Sequence, residues 1–376
     1  YKKEGSLKAL IVTGCLAQRY RQEILDEIPE VDAVLGTTAY DQILDAVDEA
    51  LKGQNSVRME DLQRLPKVEA KRQVTTGGHF AYMKIAEGCD KHCTYCIIPK
   101  IRGRFRSRPM EELIREAEEL AEQGVKELIL VAQETTLYGK DLYGEKSLPV
   151  LLRKLCKISG LRWIRVLYCY PEEITDELIR VMKEEPKICH YLDLPIQHAN
   201  DDILKRMGRK TSKQELIDIV GKLRKEIPDI CLRTTLITGF PGETQEQYEE
   251  LYRFVSEMEF DRLGVFTYSP EEDTPAALMP DQIEESVKEE RQAELMELQQ
   301  EIAFEAAENM VGKEVLVMIE GKVADENVYV GRTYKDAPNI DGLIFVETGV
   351  ELVSGDFAKV RVTGALEYDL IGGIEE

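Results

Sequence analysis

The sequence predicts an α/β protein: a partial, open (β/α)6 barrel with an α/β fragment before it and a small β-barrel after it. Three observations carry that prediction. Between His79 and Pro270, six strand-like runs alternate with helical patterns, and such alternation means a parallel sheet. Asp281–Met310 is then one long helical pattern without glycine or proline. Four short strand-like runs fill residues 311–376, as in a small β-barrel.

Residues 1–51 are the expected C-terminal part of an α/β domain. Leu7–Cys15 (LKALIVTGC) is an apolar strand ending in a Gly-Cys turn, and Gln18–Ile28 is helical in pattern. Val31–Thr37 is a second strand, and Thr38–Leu51 a short helix with Ile43, Leu44 and Val47 on one face. The first strand has no visible partner before it, and Tyr1 is not a start methionine; the domain is expected to begin upstream. Residues 52–78 are polar, lack periodicity and predict a linker.

The barrel, residues 79–280, draws its strands from Phe80–Ala86, Lys126–Ala132, Arg162–Tyr168, Tyr191–Ile196, Leu232–Ile237 and Arg262–Tyr268. The clearest helix is Pro109–Gln123. Proline opens it, Glu111 and Glu112 sit at its positive end, Leu113, Ala117 and Leu120 share a face, and Gly124 stops it. Six units suit an open barrel better than a closed eight-fold one, and functional residues of such a barrel gather at the C-terminal ends of its strands. Residues 281–310 are a connector helix packed on the barrel, and residues 311–376 the small β-barrel.

Composition narrows the class. The chain has 376 residues, a formal charge of −22 and eight cysteines. No apolar run is long enough to span a bilayer, and scattered cysteines suit a reducing cytosol better than a disulfide framework. The total charge alone serves solubility. The same sign argues against nucleic acid, whose binders are usually basic, and for a basic partner.

The chemistry concentrates in Glu87–Pro99 (EGCDKHCTYCIIP), which places Cys89, Cys93 and Cys96 in one Cys-x-x-x-Cys-x-x-Cys run. Three thiolates can hold one corner of an iron–sulfur cubane, which normally takes four; the fourth iron is then open to chemistry. Structural zinc would need a fourth ligand. His92 is next to Cys93 and poorly placed, while His79 is upstream and could reach. An odd number of cysteines fails as a disulfide set.

With Tyr95 just before the last cysteine, the loop resembles the signature of the radical S-adenosylmethionine (SAM) superfamily. The resemblance implies a 4Fe-4S cluster on Cys89, Cys93 and Cys96. SAM would chelate its open iron through the amino and carboxylate groups, and an electron from the cluster would cleave the sulfonium to a 5′-deoxyadenosyl radical. Strand ends nominate Gln133, Glu134, Thr135 and Thr136 after the second strand, Gln197 and His198 after the fourth, and Gly239, Phe240, Pro241 and Gly242 after the fifth. The glycines would let the backbone approach a ligand closely. Thr235–Thr244 (TLITGFPGET) is similar to the element that lies against the SAM adenine, and Arg233 could pair with the SAM carboxylate. The expected cofactor contacts are Tyr95, Gln133, Gln197, Arg233, Gly239, Phe240 and Pro241. His198 is expected to be a structural histidine.

Thr13–Tyr20 (TGCLAQRY) resembles the surroundings of the third of three cysteines that hold a second 4Fe-4S cluster in radical SAM methylthiotransferases. Cys15 is that residue here, and its two partners have no counterpart in the sequence. Lys100–Pro109 carries Lys100, Arg102, Arg104, Arg106 and Arg108 at alternate positions, on one side of an extended segment. A salt-bridged edge is favoured there over a phosphate-binding ridge.

The resemblance extends over nearly the whole chain and implies a TRAM domain, a substrate-gripping barrel, for residues 311–376. That domain holds six basic and thirteen acidic residues, a net charge of −7. One branch of the family modifies an adenosine of tRNA, another an aspartate of the very basic twelfth protein of the small ribosomal subunit. Ala132–Gly144 and Gly331–Gly342 resemble the second branch; the first would read GQNV where this chain has Gln133–Thr136. The expectation is a cytoplasmic transferase that adds a methylthio group to the β-carbon of that aspartate. SAM would be both radical source and methyl donor, with an electron donor as further partner. The alternatives are the tRNA enzyme, and a non-enzymatic iron–sulfur or zinc protein.

Overall fold

The protein was analysed as a computed structural model that describes residue 2, residues 5–66 and residues 72–374. The N-terminal fragment is a three-stranded parallel sheet of β1 (Ile11–Thr13), β2 (Ala33–Leu35) and β3 (Ser56–Arg58), in that order. The third strand falls inside the expected linker, residues 52–78. Its three residues carry no apolar alternation; parallel pairing to β2 makes it a strand, extended by the bond from Gly36 N to Arg58 O (2.9 Å). Residues 67–71 of that segment lie outside the described residues.

The helix expected over Gln18–Ile28 is two, Cys15–Tyr20 and Gln22–Glu27, broken at Arg21 where φ is +48°. The next helix, Ile43–Leu51, buries the expected face in part: Ile43 packs against the cluster of Ala33, Leu35 and Ala46, and Val47 is half-buried. Ala46 and Ala50 are buried and Leu44 is 75% exposed. Small residues let this helix lie close to β2, and the larger leucine turns outward.

The barrel is a six-stranded parallel sheet. Its strands are β4 (Phe80–Lys84), β7 (Glu127–Val131), β8 (Trp163–Val166), β9 (Ile188–Asp193), β10 (Cys231–Thr238) and β11 (Arg262–Thr267), adjacent in that order. Between β4 and β7, the two-residue strands β5 (Ala86–Glu87) and β6 (Arg106–Ser107) pair antiparallel and pinch the base of the cysteine loop. The outer face of the sheet, including Met83, Leu130, Ile164 and Val166, packs on helices such as Met110–Glu122, which buries Met110, Leu113, Ala117 and Leu120.

The C-terminal barrel closes in the order β12 (Glu314–Lys322), β13 (Val328–Arg332), β14 (Ile344–Glu347), β16 (Leu370–Gly373) and β15 (Phe357–Ala365). Four of these are the expected runs. The fifth, LIGG, is too short and glycine-rich to show alternation; at Gly372 a Cβ would lie 2.6 Å from Val360 Cγ1. This domain is built into the larger barrel. Phe80, Ile129, Trp163, Cys189, Tyr191 and Cys231, on the inner face of the sheet, form one core with Met318 and Ala337.

The connector helix, Glu285–Glu308, buries Lys288, Arg291, Leu295, Gln299 and Ala303 along one stripe. The polar members complete the free edge of the sheet. Lys288 Nζ donates to Tyr268 O (2.9 Å), Gln292 Nε2 to Val265 O (2.6 Å) and Gln299 Nε2 to Phe260 O (2.9 Å). An open barrel exposes unpaired carbonyls at its last strand, and a helix side chain can satisfy them as a further strand would. Among the described residues no helix is long and apolar enough to cross a membrane.

Candidate metal and cofactor centre

The cysteine loop leaves β4 at the C-terminal mouth of the barrel. Gly88 has φ +79°, and a Cβ there would lie 2.2 Å from Arg104 O; the loop closes on itself at that point. Cys89 N donates to Gly103 O (3.2 Å), Phe105 N to Asp90 Oδ1 (3.1 Å) and Thr94 N to Met207 O (2.9 Å). Lys91 N points at Cys89 Sγ (3.4 Å). Cys89 and Cys93 are buried and Cys96 half-buried. Burial pushes the Cys89 thiol up to about 12 and raises that of Cys96, which favours the protonated thiols until a metal would displace the proton. Among the described residues no three His, Cys, Asp or Glu side chains converge as they would on a single ion. A cubane spreads its thiolates over separate irons and asks for no such convergence. His79, the other candidate zinc ligand, is turned to Glu320 of the C-terminal barrel (Nε2–Oε2 2.8 Å).

A second feature fits an anionic cofactor beside this loop. Arg209 is buried against the Tyr170 ring (4.4 Å), whose hydroxyl lies 4.0 Å from Cys93 Sγ. Its Nη2 donates to Pro195 O (3.1 Å), while Nε and Nη1 are buried without any partner. Burial alone would lower its pKa; Tyr95, Tyr170, Glu172 and Cys93 hold it up. Two unmade charged donors next to the cluster loop are costly unless an acceptor arrives. Sequence reasoning missed Arg209, because one cation after Gly208 in a basic run carries no spacing signal.

The mouth residues divide between loop support and lining. Gln133 Oε1 accepts from Gly88 N (2.7 Å), so it anchors the cysteine loop. Glu134 is buried, accepts from Thr136 N (2.9 Å), and has its pKa raised to about 7 by burial. Thr135 Oγ1 stitches the second strand end to the third through Leu167 O (2.8 Å). Gln197 has φ +73° and is tied to β10 on both sides (Gln197 N to Thr235 O 2.9 Å, Ile237 N to Gln197 O 2.8 Å). Tyr95 packs with Met207, Phe240 and Tyr268. Phe240 is fully buried, edge-on to Tyr268 at 5.3 Å, so its side chain is core.

The glycines of the fifth strand end answer to protein neighbours rather than to the close approach of a ligand. A Cβ at Gly239 would lie 2.2 Å from Lys288 Cγ, and one at Gly242 would lie 2.1 Å from Arg206 Nη1. Gly239 N donates to Glu243 Oε2 (3.0 Å), and Glu243 Oε1 takes Arg291 Nη1 of the connector helix (2.7 Å). His198 has a fully buried ring; its Nδ1 accepts from Asn200 N (2.9 Å) and its Nε2 stands 3.5 Å from Glu243 Oε2. Arg233 is engaged with Asp193 (Nη1–Oδ1 2.8 Å) and stands 3.6 Å from Asp341 of the C-terminal barrel.

Cys15 heads its helix on the flank of the cysteine loop, where Arg102 Nη2 reaches its sulfur (3.1 Å) and Arg102 Nη1 reaches Glu87 (3.3 Å). The other cysteines, Cys156, Cys169, Cys189 and Cys231, are buried in the barrel cores. One thiol does not hold a cluster, so the residues present do not complete a second centre. The basic run 100–108 is salt-bridged: Arg108 pairs with Glu116 (2.7 Å) and buried Arg106 donates to three backbone carbonyls. Only Arg104 is exposed among its arginines.

A six-stranded parallel half-barrel with three cysteines at its mouth is the architecture of a radical SAM enzyme, and residues 83–255 match the Radical SAM superfamily. Residues 311–374 match the TRAM domain. Among solved structures, the radical SAM methyltransferase TsrM of Kitasatospora setae, with cobalamin and a [4Fe-4S] cluster bound, shares the fold. Its TM-score is 0.51 at 15% identity, covering 83% of this chain and 69% of that one. The sequence relatives are much nearer. "Ribosomal protein uS12 methylthiotransferase RimO" of Lachnoclostridium phytofermentans is 66% identical over all of this chain and 85% of that protein. The protein of the same name from Clostridioides difficile is 50% identical, over 99% of this chain and 84% of that protein. The chain belongs to the RimO family of radical SAM methylthiotransferases.

Proposed function

We propose that this protein adds a methylthio group to the β-carbon of an aspartate in ribosomal protein uS12, in the cytoplasm. The observation that carries the reading is the whole-chain identity to RimO proteins. The cysteine loop at the barrel mouth supplies the site. Cys89, Cys93 and Cys96 would hold a 4Fe-4S cluster with one iron left for SAM. When bound, that pair supplies reductive cleavage of the sulfonium and removal of a hydrogen from a carbon too weakly acidic for a general base. SAM is also the methyl donor, and an electron donor is a required partner.

The chain's own residues position and enclose. Gln133 sets the height of the loop through Gly88. We assign the SAM carboxylate to the two Arg209 nitrogens that lack a hydrogen-bond partner, since Arg233 pairs with Asp193 at 2.8 Å whereas Glu172 stands 3.9 Å from Arg209 Nη2. Tyr95, Gln197 and the backbone of Gly239, Phe240 and Pro241 wall the remaining sides and keep water out. Cys15 would be one ligand of the second 4Fe-4S cluster.

The net charge of −7 on residues 311–376 supports a basic protein over tRNA, whose phosphates that surface would repel. The test is a competition. Reconstituted full-length enzyme, dithionite and SAM are given ribosomal protein uS12 and tRNA together, and both are read by mass spectrometry. Methylthiolated aspartate is the expected product. Methylthiolated adenosine instead would overturn the substrate, and absence of 5′-deoxyadenosine would overturn the enzyme.

A further inference from the structure

Tyr168 stands at the end of β8 in a conformation its sequence neighbours do not explain. Along that strand Ile164 and Val166 face the helical core while Trp163 and Leu167 face the barrel interior. Regular alternation would send residue 168 into the helical core. Instead Cys169 takes that place, fully buried, and Tyr168 is 49% exposed. The cause is backbone: Tyr168 has φ +60°, the left-handed region that disfavours a bulky side chain. Three bonds hold it there. Tyr168 N donates to Asp193 Oδ2 (3.1 Å), and its carbonyl accepts from Thr135 N (3.1 Å) and Thr135 Oγ1 (2.9 Å).

A strained residue pinned from both sides marks a function when nothing in the fold uses its side chain. Among the described residues the Tyr168 hydroxyl has no hydrogen-bond partner. Tyr168 stands just past the C-terminal end of β8, at the barrel mouth, and two residues on the Tyr170 hydroxyl lies 4.0 Å from Cys93 Sγ.

We propose that Tyr168 contacts the polypeptide substrate, its hydroxyl donating to the carboxylate of the side chain presented for C–H cleavage. This rests on the reading that the substrate is an aspartate of a protein. An unpartnered phenol is a neutral donor suited to a carboxylate, and a ring held out of the core offers a flat face to the chain on either side of it.

The test uses full-length holoenzyme with Tyr168→Phe, Tyr168→Gly and, as a control, Glu259→Gly, an exposed helix end at φ +43°. Relief of strain should raise the melting temperature of both glycine variants by roughly 2 °C. Loss of the hydroxyl in Tyr168→Phe should raise KM for ribosomal protein uS12 about tenfold, and Tyr168→Gly at least as much. In both, more 5′-deoxyadenosine should form per methylthiolated product, while Glu259→Gly keeps the parent ratio. Parent-like KM and ratio in both Tyr168 variants would overturn the proposal, as would a melting temperature several degrees lower in Tyr168→Gly, which would make the ring structural. Failure of the parent enzyme to modify the protein would instead strike the proposed function, and the melting temperature would still decide whether the ring is structural.

Discussion

At the scale of single residues, the site is a contrast between satisfied and unsatisfied polar groups. Glu243, Gln133 and Arg233 have protein partners at 2.7–2.8 Å; Arg209 has two buried nitrogens without a hydrogen-bond partner. A buried cation left short of acceptors beside the cysteine loop is suited to an anion from outside. Arg209→Lys keeps the charge but loses the planar fork. It should raise the SAM concentration for half-maximal 5′-deoxyadenosine formation about tenfold, with cluster content unchanged by iron analysis. An unchanged SAM dependence would remove the carboxylate from Arg209. Cys89, Cys93 and Cys96 stood out in the sequence because ligation of a cluster would tie chemistry to spacing. Arg209 was not legible, since its meaning lies in what surrounds it after folding.

At the scale of elements, legibility followed the way each element is stabilised. Five of the six barrel strands are largely buried on both faces, so their apolar runs announce them; the edge strand β11 buries only Val265. Strands β3 and β16 are held by backbone pairing to a neighbour and leave no trace in side-chain pattern. The connector helix was visible by length but not by face, because its buried stripe is polar: Lys288, Arg291 and Gln299. That stripe also governs the fifth strand end. Gly239 has φ +69° with Lys288 beneath it, so Gly239→Ala combines backbone strain with a steric clash and should cost about 1–3 kcal/mol, read from urea unfolding. A neutral result would show that Lys288 moves aside freely. Arg291→Leu should cost more, about 3–5 kcal/mol, since it strands the buried Glu243 carboxylate; the same unfolding measurement checks it.

At the scale of the whole molecule, the C-terminal barrel is a structural part of the catalytic barrel rather than a tethered arm. Glu127, buried inside the sheet, takes Arg165 on one oxygen (2.8 Å) and Arg332 of the C-terminal barrel on the other (2.6 Å). Arg332 also holds Glu320 (2.6 Å), which takes His79 at the barrel's entry. The C-terminal barrel is thereby fixed relative to the mouth. The single tryptophan reports on that junction, since Trp163 stands edge-on to Phe357 at 4.9 Å. Arg332→Ala leaves Glu127 half-paired in the interior, at a cost of about 3–5 kcal/mol, and should shift Trp163 emission to the red at denaturant concentrations where the parent is still folded. Acid should do the same by a different route. Burial would raise the Glu320 pKa, but the hydrogen bond from His79 and the charge of Arg332 outweigh it and hold the carboxyl below its ordinary value. A depressed carboxylate contributes stability that is complete above its unfolded pKa of about 4.3. That stability is lost as pH falls through the lower folded value. Trp163 emission should therefore stay constant from neutral pH down to the ordinary carboxylate range and redden only below it. In Glu320→Gln the junction should be weaker at neutral pH and the acid-dependent shift smaller. A parent-like acid transition in that variant would assign the loosening to other carboxylates, and the Glu320 bridge would not be what holds the two barrels together.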